Sequence, residues 1–136
     1  MVNEDNGKEI SSKNEKVRKF NLEDRLVDFA VKVIGIVEGL PNTRTGNHIA
    51  GQLIRCGTSS ALNYGETQSA ESRKDFIHKM KVVLKELRET NICFKIIKRR
   101  ALLKPPGRID SILDECSELI SIFVTSISTA QRNKRK

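Results

Sequence analysis

Apolar residues in this chain recur at intervals of three and four for most of its length. Leu22, Leu26, Phe29, Val33, Ile36 and Val37 make the first such run and predict an amphipathic helix. Asn21, with Asp24 three residues on, predicts its N-cap, and Gly39 and Pro41 predict its end. Residues 41–46 (PNTRTG) read as a loop. A second helix is expected from near Asn47, through Ile49, Leu53, Ile54, Ala61 and Leu62, to about Tyr64-Gly65-Glu66. It is rich in small residues. An interior glycine costs a helix about 1 kcal/mol against alanine, so Gly51 and Gly57 predict a neighbouring helix at close range.

Ser72 and Asp75 predict a capped start for a third helix. Phe76, Met80, Val83, Leu84, Leu87, Asn91, Phe94 and Ile97 form one face of it. Ile77, Val82, Ile92, Cys93 and Ile96 spread apolar surface further around the cylinder. One helix in a lone bundle needs a single stripe, so the excess predicts burial against a second molecule. Lys104-Pro105-Pro106-Gly107 ends this region. Arg108 or Ile109 is the expected start of a fourth helix, where Ile112, Leu113, Cys116, Leu119, Ile120, Phe123, Val124 and Ile127 again repeat at three and four. Its serines, threonines and β-branched residues lower its propensity, so packing must support it. The expected fold is all-α: an antiparallel up-and-down four-helix bundle over residues 21–130 that oligomerises. Residues 1–20 read as a polar, aperiodic tail and 131–136 as a basic tail that frays.

Composition sharpens this picture in two places. Aromatic residues are 4% of the 136, with no Trp, so the core must be built from Leu, Ile, Val and Ala. The formal charge of +8 is unevenly spread. Lys95, Lys98, Arg99, Arg100, Lys104 and Arg108 stand in a segment without an acid, and Arg132, Lys134, Arg135 and Lys136 follow at the end. Between them, residues 109–130 hold Asp110, Asp114, Glu115 and Glu118 and no base. A clustered set of cations attracts polyanions, nucleic acid above all. The same cations also solubilise a small protein and complement a helix C-terminus. The six from Lys95 to Arg108 are the candidate nucleic-acid site, and contact with backbone or shape is expected in preference to base stacking, since only Phe94 is close by.

The chain offers little to an enzyme. Cys56, Cys93 and Cys116 are widely spaced, with no CxxC, and read as thiols packed in a reducing cytoplasm. No Glu-x-x-His occurs for a bundle metal site. Ser59 and Ser60 lack a nucleophile elbow, and GETQSAESRK lacks Walker spacing. No cofactor or metal is expected, no apolar run reaches the ~18 residues of a membrane span, and no signal peptide is evident. A structural polar network is expected from Gln52, Arg55, Asn63 and Glu66 with Glu86 and Glu89. In it Arg55, set among Leu53, Ile54 and Cys56, is partly buried and pairs with Glu86 or Glu89. Lys85 and Glu89 read as a surface pair at i,i+4.

Two stretches carry a family resemblance: QLIRCGTSSALNYGE (Gln52–Glu66) and SRKDFIHKMKVVLKELRET (Ser72–Thr90). The chain resembles, over residues 22–130, the four-helix bundle proteins encoded by intervening sequences in bacterial 23S ribosomal RNA genes. That resemblance implies a small four-helix protomer assembled as a ring-like homopentamer. The accessory protein of diversity-generating retroelements is similar to the same group, and it binds RNA and a reverse transcriptase. Together these imply a non-catalytic, RNA-associated oligomeric scaffold. The alternative they imply is a protein-interaction accessory module that recruits a reverse transcriptase or a ribonucleoprotein. This sequence departs from the family pattern at Ile92-Cys93-Phe94, where an aromatic residue, often Trp, is usual, and at Ser59-Ser60-Ala61, where the run before Asn63 is usually rich in Ala and Ile.

Overall fold

The computed structural model of the chain describes residues 21–134, and the expectations for residues 1–20 and for Arg135 and Lys136 lie outside them. Four helices and one short 3-10 turn make up the described residues, with no strand among them. Helix α1 spans Leu22–Gly39, α2 Arg44–Thr67, α3 Arg73–Arg100 and α4 Asp110–Lys134; the 3-10 turn is Pro106–Ile109. Each helix packs chiefly on its neighbour in the chain, and α1 also touches α4.

The starts of the helices follow their side-chain caps. The Asn21 side chain accepts a hydrogen bond from the Asp24 N–H at 3.1 Å, and Ser72 Oγ accepts from the Asp75 N–H at 3.0 Å. Asp75 reaches back to the Glu71 N–H at 3.2 Å, which completes a reciprocal cap one residue outside the usual position. Helix α2 begins earlier than the sequence suggests. Thr43 Oγ1 accepts from the Gly46 N–H at 3.0 Å, so Arg44, Thr45 and Gly46 are already helical. Helix α4 also runs further than expected, through Lys134.

The core is continuous. Leu26, Phe29, Val33 and Ile36 come from α1, and Leu53 and Cys56 from α2. Met80, Val83, Leu87, Phe94 and Ile97 come from α3, and Ile112, Cys116, Leu119, Phe123 and Ile127 from α4. Two edge-to-face aromatic pairs cross it: Phe29 with Phe94 at 6.2 Å and Tyr64 with Phe123 at 5.8 Å between ring centroids. These join α1 to α3 and α2 to α4, so the non-sequential helices are held as well. The α3–α4 pair meets at both ends. Lys98 reaches Asp110 at 2.9 Å, and Arg73 and Phe76 line an open cleft with Thr129 and Asn133.

Gly57 is where α1 and α2 come closest. A Cβ built there would lie 2.6 and 2.9 Å from the two γ-methyls of Val33, which is fully buried. Valine has little freedom to turn away in a helix. At Gly51 a Cβ would meet nothing within 4 Å. The close approach expected for both glycines therefore holds for Gly57 alone. Gly51→Ala should raise unfolding free energy by up to about 1 kcal/mol, the propensity difference. Gly57→Ala should lower it by about 1–3 kcal/mol through overpacking. Denaturant titration of the two variants beside the parent chain measures both signs.

Candidate nucleic-acid interface

Helix α3 carries four of the six candidate cations on its last two turns. Leu87, Phe94 and Ile97 are driven into the core, and that rotation of the helix leaves Lys95, Lys98, Arg99 and Arg100 outside. The helix then stops at Ala101, whose backbone is left-handed (φ 54°, ψ 46°). Its N–H bonds to the Ile97 and Lys98 carbonyls, and the Leu102 N–H donates to the Ile97 carbonyl at 3.0 Å. This closes the helix as a glycine would, although a side chain in that conformation costs about 1–2 kcal/mol. Leu103 and Ile109 are buried on either side of the break. They pin the connector to the core, so Lys104 and Arg108 are displayed from an anchored turn.

All six cations are exposed. Among the described residues only Lys98 has an acid partner, Asp110, and each of those side chains is half exposed. Arg108 is committed elsewhere. Its guanidinium donates to the Gly35 carbonyl at 3.3 Å and lies over Gly39, where a Cβ would stand 2.7 Å from Nη1. Arg108 thus ties the turn to the end of α1 while adding its charge to the cluster. Lys98, Arg99 and Arg100 also complement the carbonyl end of α3.

The cationic surface extends beyond these six. Lys74, Lys81, Arg88 and Lys95 recur every seven residues along α3, with Lys85 and Arg99 beside them, and all are exposed. A seven-residue repeat drifts only about 20° per repeat around a helix. At 1.5 Å per residue the row from Lys74 to Arg99 is about 37 Å long. The spacing was present in the sequence but is not apparent when the cations are read as one local cluster.

The expected polar network is dispersed. Arg55 is exposed, and its guanidinium donates to Gln52 Oε1 at 2.7 Å. Its apolar sequence neighbours lie on other faces of the helix, so they do not bury it. It forms no ion pair with Glu86 or Glu89, and Lys85 forms none with Glu89. Asn63 and Glu66 border a small recess with His78, Lys79 and Val82. The shortest ion pair among the described residues has no signal in the sequence. Arg25 of α1 reaches Glu115 at 2.6 Å and Glu118 at 2.8 Å on α4, and these carboxylates, Glu115 first, raise the Arg25 pKa. Arg25 lies 90 residues before Glu115 in the chain, and no local spacing signals the pair.

The three cysteines are free and buried. The thiols of Cys56 and Cys93 interact across the α2–α3 contact, which lowers the pKa of Cys56 and raises that of Cys93. Burial pushes Cys116 up to about 12, while its Sγ donates to the Leu87 carbonyl at 3.3 Å. No group of three or more metal-ligating side chains occurs among the described residues. None of the described helices is long and apolar enough to cross a membrane.

The model of the family described as 23S rRNA-intervening sequence protein matches residues 18–125, most of the chain. The chain belongs to that family. A crystal structure of a protein with unknown function from the S23 ribosomal protein family of Bacteroides thetaiotaomicron is similar to it, with 28% identity and a TM-score of 0.71. The similarity covers 77% of this chain and 96% of that one. No curated protein matches the chain.

Glu86 is the polar side chain at odds with its setting. Its Oε2 is buried without a hydrogen-bond partner. Burial, then the charge of Glu89, raises its pKa above the ordinary 4.5, while Arg55 and Lys85 pull it down. A raised carboxyl pKa means the folded state binds more protons, so stability falls as pH rises from about 4.5 through the folded value. Glu86→Gln should therefore raise the thermal midpoint at pH 7, with the gain disappearing below the ordinary carboxylate range. Thermal unfolding of both proteins from about one pH unit below the ordinary carboxylate value to about three above it reads the crossover.

Proposed function

We propose that this protein is a non-catalytic, RNA-associated scaffold that holds RNA through phosphate contacts. The helices would run up and down as an antiparallel bundle, in keeping with the meeting of Lys98 with Asp110 at one end of α3 and of Phe76 with Thr129 at the other. The bundle would act as a homo-oligomer, pentameric as its resemblance to the intervening-sequence proteins implies. Three free cysteines suit a reducing cytoplasm.

The observation that carries this reading is the display of Lys95, Lys98, Arg99, Arg100, Lys104 and Arg108 around one anchored helix end, with a single acid among them. Contacts of this kind position a phosphate backbone without reading bases. A family named for an intervening sequence of 23S rRNA supports RNA as the polyanion. Repetition of the cluster in an oligomer would widen the positive surface and multiply its contacts.

Binding of a short labelled RNA duplex should weaken linearly in log affinity against log salt. Combined replacement of Lys95, Arg99 and Arg100 by alanine should weaken binding and make that slope shallower by about two to three. These three cations have no acid partner among the described residues, so the fold is expected to persist with only the small loss of their favourable charge at the carbonyl end of α3. Affinity that ignores both salt and the triple replacement would refute the assignment.

A further inference from the structure

The outer face of α1 and the groove between α3 and α4 are both partly apolar and carry opposite charges. On α1, Val27, Val31 and Ile34 stand at i, i+4 and i+7 and are 48%, 61% and 39% exposed. They form a continuous apolar stripe on the side of α1 away from the core. Acids border it: Glu23 and Asp24 lie four and three residues before Val27, Asp28 three before Val31, and Glu38 four after Ile34. None of the four pairs with a described cation. Lys32 stands four residues after Asp28 on the same side of the helix and offsets it, so Glu23, Asp24 and Glu38 give the stripe its net acidic border.

The α3–α4 groove carries the opposite pattern. Its floor is Leu84, Ile92, Val124 and Ile127, of which Ile92 is 55% and Val124 40% exposed. Its rim is Lys81, Lys85 and Arg88, with Glu89 as the one acid. A row of cations meant only for phosphates has no use for an apolar floor. An acidic helix with an apolar stripe satisfies both parts, and α1 is such a helix. Both elements are packed into one core, so α1 cannot reach the groove of its own chain.

We infer that the acid-bordered stripe of α1 docks in the cation-rimmed α3–α4 groove of a second copy of this chain. The contact is heterologous: two different faces meet, each copy keeps one of each, and closure of the series gives a ring. Burial of the stripe and groove supplies the attraction, and the opposed charges select the pairing and reject α1 against α1. The inference deepens the oligomeric reading given above and rests on it. It leaves Lys95, Lys98, Arg99, Arg100, Lys104 and Arg108 outside the contact, since none of them lines the groove, and available to RNA.

The test uses the full chain, nuclease-treated so that RNA cannot bridge copies, in sedimentation velocity. Val31→Lys sets a cation in the stripe, and Ile92→Asp sets an acid in the groove. Each variant alone should sediment as the 15.4 kDa protomer, while the parent chain is larger. An equimolar mixture of the two should re-associate to at least twice that mass, because the intact stripe of one meets the intact groove of the other. Far-UV circular dichroism establishes that each variant keeps its helices. Ile34→Lys and Val124→Asp, also at exposed positions, replace any variant that does not. A monomeric parent chain would overturn both this inference and the oligomeric reading. An assembled parent whose variants stay assembled, or whose monomeric variants fail to re-associate on mixing, would overturn this inference and leave the oligomeric reading standing.

Discussion

Helix α3 has more apolar surface than two neighbouring helices can cover, and the rest of the molecule is arranged around that fact. It buries Ile77, Met80, Val83, Leu87, Cys93, Phe94 and Ile97 in the bundle core and still leaves Ile92 and Ile96 outside. A buried side chain of this size is worth roughly 1.5–3 kcal/mol, so the inward face fixes the rotation of α3 about its axis. Once the rotation is set, so are the positions of its cations. Lys81, Lys85 and Arg88 fall beside the α3–α4 groove, and Lys95 and Arg99 fall at the open end. Packing and charge display are thus two consequences of one helical register.

The connector after α3 turns that register into a surface. Ala101 holds a backbone conformation that disfavours side chains, and it is kept there by Leu103 and Ile109 sinking into the core and by Arg108 gripping the Gly35 carbonyl. A loose turn would have let Lys104 and Arg108 disperse. An anchored one adds them to Lys95, Lys98, Arg99 and Arg100. The acid that follows, Asp110, serves two ends, favouring the N-terminus of α4 and neutralising part of Lys98.

Much of this was legible in the order of residues, and the failures have physical causes. The three–four spacing of apolar positions locates all four helices, and Ser72 with Asp75 and Asn21 with Asp24 mark caps that form as expected. The start of α2 is not legible because Gly46 reads as loop, whereas the Thr43 cap makes it helical. Arg55 reads as partly buried because Leu53, Ile54 and Cys56 surround it, but it is exposed, since adjacency in sequence is not adjacency on a helix. The Arg25–Glu115–Glu118 bridge joins the first helix to the last, and only the packed structure brings them together. Gly51 and Gly57 look alike in the sequence, and it takes Val33 of α1 to distinguish them. The heptad row of cations on α3 was written in the chain throughout, masked by the denser cluster at its end.

Whether RNA meets this protein at the cationic end of α3 decides the proposed function. Ultraviolet cross-linking of the protein to RNA, followed by mass-spectrometric mapping of the adducts, reads the contact positions directly. Adducts should concentrate on the peptides spanning the last turns of α3 and the connector, from Lys95 to Arg108. Adducts gathered instead on the acidic outer face of α1 or on the acidic first half of α4 would contradict it.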